Sequence, residues 1–153
     1  MTRLLGIDLG ARRIGLAVSD PAGPPQALVT IRRARTPTED AVTVRRIALE
    51  QGVGELVVGL PLEAAGQEGT QAAITRAWAA AIDPLVALPI TFRDERWTSH
   101  LAEQRLGPMK RGRSGGPPSA TQRQAHRARV DREAAAIILQ DELDARAQHG
   151  ADR

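Results

Sequence analysis

The sequence predicts an α/β protein, a mixed sheet flanked by helices. Two observations carry that expectation. Three short β-rich runs fill most of the first 32 residues, as in a meander, and two further apolar runs then alternate with helical segments. At 153 residues the chain fits one domain, residues 1–153, large enough to bury an ordinary core.

The elements follow in order. Residues 4–8 and 14–19 are β-rich runs separated by Gly-Ala-Arg-Arg, which suggests a hairpin. Ala27 to Arg32 follows the turn-forming Pro-Ala-Gly-Pro-Pro and extends the hairpin into a meander. Thr36-Pro37-Thr38-Glu39 is a capping box with proline at the first helical position. Ala41, Val44, Ile47 and Ala48 give that helix an apolar face, and Gly52 closes it. Glu55 to Leu60 reads as a buried strand and residues 70–82 as an Ala-rich helix with Trp78 in the core. Pro89 to Glu95 is the last strand, ending in acids, and Thr98 or Ser99 caps a short helix to Leu106. Residues 107–118 have loop composition and are expected to be mobile. A long helix begins between Ser119 and Val130 and runs to about Arg146, leaving a tail over about 147–153.

Composition narrows the function. No apolar run approaches 18 residues, and no basic segment with a long apolar stretch opens the chain, so a cytoplasmic protein without membrane contact is expected. With no cysteine and three scattered histidines, any metal would be a hard cation on carboxylates, magnesium or manganese. The net charge of +3 is unevenly spread: residues 105–132 carry eight basic side chains against Asp131 alone. Such a block suggests a polyanionic partner. A genomic preference explains twenty Arg against one Lys, but not their clustering.

Three acidic positions stand out. Asp8 ends the first strand and Asp94-Glu95 end the last, where open sheets gather their chemistry. Asp131 lies four residues before Ala135 and seven before Ile138, on the apolar face of the final helix. Singly, each has a plain structural explanation: a buried turn residue, surface charges at a strand end, a polar helix flank. Together, buried carboxylates repel one another unless cations or donors compensate. Two divalent ions roughly 3.5–4 Å apart meet that need in phosphodiester hydrolysis.

Four blocks, GIDLGARRIGLAVSD, ELVVGLPL, RDERWTS and VDREAAAIILQ, resemble in this order the YqgF family, also called RuvX. The likeness runs from Leu4 to about Leu143. It implies a ribonuclease-H-like sheet of five strands, the first three antiparallel. It also implies a magnesium- or manganese-dependent endonuclease, acting on four-way DNA junctions or on precursor 16S ribosomal RNA. By position the family's acids fall on Asp8, on Glu95 with Asp94 as the alternative, and on Asp131. Products would carry 5′-phosphate and 3′-hydroxyl, and a junction resolvase would act as a homodimer. The chain departs from the family pattern at Ala11-Arg12, at Glu63 to Gly66, at Arg93 and at Trp97.

The expected polymer contacts are Arg12 and Arg13 in the hairpin turn, Arg96 beside the acids, and the basic block Lys110, Arg111, Arg113, Arg123, Arg127 and Arg129. Trp97 either stacks on a base or packs. Two other functions share these features. A non-catalytic nucleic-acid-binding module would use the same basic loop, and an actin-like nucleotide-binding lobe would use the same first hairpin. The second needs two lobes, and 153 residues supply one.

Overall fold

Side-chain alternation along the strands decides which helices cover which face of the sheet. The computed structural model describes residues 2–96, 98–112 and 114–151. It contains β1 (Arg3–Leu9), β2 (Arg13–Asp20), β3 (Gly23–Arg32), α1 (Pro37–Gln51), β4 (Val53–Leu60), α2 (Thr70–Val86), β5 (Ile90–Asp94), α3 (Thr98–Leu106) and α4 (Ala120–Ala151). The sheet order is β3-β2-β1-β4-β5. The first three strands are antiparallel neighbours, while β4 runs parallel to both β1 and β5. This is a five-stranded mixed sheet with its first three strands antiparallel, as the sequence resemblance implies.

Leu5 and Ile7 of β1, Ile14, Leu16 and Val18 of β2, and Leu56 and Val58 of β4 pack with the buried residues of α1 and α2. Leu4, Ala17 and Val57 meet Ala135, Ile138 and Leu139 of α4 on the other face. The period of two thus sorts each strand between two cores. Trp78 is buried, as expected, and its indole donates to Oδ2 of Asp40 at 3.1 Å.

Helix α4 lies close to the sheet because glycines face it. A Cβ on Gly6 would overlap Leu139 and the carbonyl of Ala135, and one on Gly15 would strike the carbonyl of Asp131. At the far end Arg146 grips both carboxylate oxygens of Glu55, at 2.6 and 3.1 Å.

Several boundaries differ from the sequence expectation. Strand β3 begins at Gly23 and includes Pro24 and Pro25, which a strand tolerates at the sheet edge. Helix α2 continues through Pro84 to Val86, ending at Ala87 in the left-handed region with φ 56°. Strand β5 stops at Asp94, and the Glu95 N–H adds one more bond to the Leu60 carbonyl, at 3.1 Å. The expected tail is largely helix, because α4 runs to Ala151. The start of α1 is as predicted: Thr36 Oγ1 accepts from the Glu39 N–H at 3.3 Å, and Gly52 closes the helix with φ 65°. Among the described residues no helix is long and apolar enough to cross a membrane.

Candidate active site and nucleic-acid cleft

The sheet register builds the site. Asp8 is opposite Gly15 on β2, and its predecessor Ile7 pairs with Val58, which puts Gly59 of β4 level with Asp8 on its other side. Both flanking residues lack a side chain, and each vacancy admits part of another acid. At Gly15 it is the backbone of Asp131; at Gly59 a Cβ would collide with the side chain of Glu95. Two glycines therefore let acids from α4 and from the end of β5 approach the carboxylate of β1.

Glu95 packs against Gly59, level with Asp8, and each carboxyl shifts the proton affinity of the other. Burial and the charge of Asp131 push the Asp8 carboxyl up to about 7, with Glu95 opposing the shift. Burial, then the charge of Asp8, raises Glu95 well above the ordinary range, with Thr98 opposing the shift. Thr98 is itself buried at the start of α3. Asp8 raises Glu95 while Glu95 lowers Asp8, the pattern expected when two facing carboxyls share one proton.

Asp94 and Glu95 separate cleanly. Asp94 turns outward to Arg96, whose Nη2 lies 2.8 Å from Oδ2, and this bond lowers its carboxyl below the usual range. Glu95 turns inward. Asp131 belongs to the same neighbourhood, but its Oδ2 accepts from Arg13 Nε at 2.6 Å.

A hard divalent cation fits the inner pair. Glu95 Oε2 is buried with no hydrogen-bond partner, and the two carboxyls repel as anions. The third ligand is not preassembled: among the described residues no group of three or more acidic, His or Cys side chains is gathered tightly enough to hold an ion.

The expected basic contacts divide in two. Arg12, Arg13 and Arg127 line a cleft between the β2–β3 hairpin and α4. Arg32, missing from the sequence prediction, joins them because it pairs with Arg13 across the strands. Arg33 continues the basic surface beside Arg12. Arg96 is held by Asp94, Arg111 by the Gly115 carbonyl at 3.2 Å, and Arg123 by the Pro118 carbonyl at 2.7 Å. Lys110 and Arg129 are exposed outside this cleft. Arg113 and Trp97 lie outside the described residues.

A family model described as RuvX, Holliday junction resolvase, matches residues 2–145. The chain belongs to the RuvX family. Among proteins similar to this RuvX chain, one of Anaeromyxobacter dehalogenans is 41% identical over 145 residues, covering 95% of this chain and 98% of its own. One of Chloroflexus aggregans is 39% identical over 143 residues, covering 94% of each. Both are provisionally named pre-16S rRNA nuclease. Solved structures include Thermus thermophilus RuvC, 12% identical, with a TM-score of 0.47 over 90% of this chain and 92% of that one.

Proposed function

We propose that this RuvX chain is an endonuclease that hydrolyses phosphodiester bonds in structured nucleic acid with magnesium or manganese. The observation that carries the reading is the Asp8–Glu95 pair, pressed together at the carboxyl ends of the strands beside a cleft lined with arginines. Family membership and the relatives' names support the nuclease part of this reading.

Asp8 and Glu95 would hold the metal, with Asp131 joining once Arg13 releases it; the bound ions would supply Lewis acidity at phosphorus and an activated water. The residues of the chain do the rest. Arg12, Arg32 and Arg127 hold the backbone phosphates, and Arg13 stands between cleft and acids. Thr98, buried at the start of α3, favours the ionised form of Glu95. The products are a 5′-phosphate and a 3′-hydroxyl.

The substrate is either a four-way DNA junction or precursor 16S ribosomal RNA. Purified protein with manganese is offered both, with Asp8→Asn as control. Symmetric cuts in the junction assign a resolvase and require a two-fold dimer. Trimming of the RNA alone assigns ribosome maturation. Full activity in the Asp8→Asn protein would overturn the site.

A further inference from the structure

A second cleft opens at Asp131, and its chemistry differs from that of the basic one. It lies between α3, the start of the 107–118 loop and the N-terminal half of α4, with a volume of about 520 Å³. Its inner end is Arg13 and Asp131, and its walls include Ser99, Glu103, Met109 and His126. The volume is in the range of small-molecule pockets.

The lining is wrong for a phosphate and right for a nucleoside. Here Glu103 and Asp131 offset Arg13 and Arg127, whereas the neighbouring cleft of Arg12, Arg13, Arg32 and Arg127 includes no acid. Met109 is 39% exposed despite its size, and Pro108 and Val130 extend the apolar surface available to a flat ring. Around it, Glu103 accepts hydrogen bonds while Ser99 and His126 can donate or accept, as the edge of a base or a ribose requires. The two clefts share Arg13 and Arg127, so a strand whose phosphates follow the first passes the mouth of the second.

We propose that this cleft receives one unpaired nucleoside of the substrate strand beside the bond to be cut. The inference rests on the nuclease reading and deepens it. A base stacked within a duplex cannot enter, so the preferred substrate carries an unpaired nucleotide next to the cleavage position.

The test uses the full chain in a metal-free buffer at fixed salt. Affinity is measured for a fully paired duplex and for the same duplex with one unpaired 2-aminopurine, in DNA and in RNA. The expected result is about tenfold tighter binding of the unpaired form in at least one of the two, with a change in 2-aminopurine fluorescence. In the double variant Glu103→Ala, Met109→Ala the ratio of affinities falls to about one. Both positions are exposed, and comparing a ratio cancels the general effect of removing a negative charge. A preference in RNA only, or DNA only, identifies the sugar that the cleft accepts. A wild-type ratio near one in both, or an unchanged ratio in the variant, overturns the proposal. Cleavage with manganese is scored separately. Preference without cleavage defeats the nuclease reading and leaves the cleft; cleavage without preference does the reverse.

Discussion

Arg13 donates from Nε to Oδ2 of Asp131 at 2.6 Å, joining the second strand to the last helix across 118 residues of sequence. Arg13 also lines the cleft proposed for the phosphates, so two anions would compete for one guanidinium. Substrate and metal should therefore bind cooperatively, since a phosphate that draws Arg13 away frees a carboxylate for the ion. In Arg13→Ala, calorimetry should find manganese binding several-fold tighter without nucleic acid. Binding to nucleic acid should weaken, and its salt slope should fall by about one. Unchanged manganese affinity would mean that Asp131 is not a ligand.

The Asp8–Glu95 pair makes stability fall as pH rises. Both folded-state values are raised, so the folded protein binds more protons than the unfolded chain between the ordinary carboxylate range and neutrality. Stability is then highest near the unfolded value and declines as pH rises through about 7 for Asp8. Thermal melts of metal-free protein should show that decline, worth roughly 1–3 kcal/mol given the partial exposure of Asp8. Saturating magnesium should flatten it, because ions favour the deprotonated pair. A flat metal-free profile would show that the two carboxyls do not share a proton.

Replacing either acid should separate stability from activity. Asp8→Asn or Glu95→Gln removes the repulsion and should raise the melting temperature above pH 7, while cleavage falls by about 10²-fold or more. A destabilised Asp8→Asn protein would contradict the account of a strained pair.

Glycine 15 is expected to be among the least replaceable residues. Its added methyl would meet backbone, the Asp131 carbonyl, which cannot rotate away as a side-chain tip can. Gly15→Ala should cost about 1–3 kcal/mol in denaturant unfolding and abolish cleavage by displacing Asp131. Gly23→Ala is the control, with open space around it on an edge strand, and should be close to neutral.

How much of this was legible depended on whether a signal was local. The capping box at Thr36 and Glu39 is a contact within four residues, and α1 begins where it predicts. The helical period brought Asp131 to the core side of α4, where it is half-buried. Distance in space was harder. Arg111 and Arg123 belong to the basic block in sequence, yet each turns back to a nearby carbonyl. Arg32 lies outside that block but lines the cleft, and the alternation of β3 opposite Arg13 could have found it. Gly15 and Gly59 carried a further signal. A glycine inside a strand marks close approach, and two beside one acid mark where its partners come in.

The 32 residues of α4 measure about 48 Å, against roughly 25 Å for the central strands it crosses. The helix is thus a beam longer than its support. Its far half is bolted down by Leu139 in the core and by the Arg146–Glu55 clamp, whereas residues 120–129 have no fully buried side chain. A polymer gripping Arg127 would load the helix one turn from Asp131, near the close approach that Gly15 permits. Tension along the strand would be delivered to the carboxylate as torque, and a chain cut short of Arg146 would lose the counterweight.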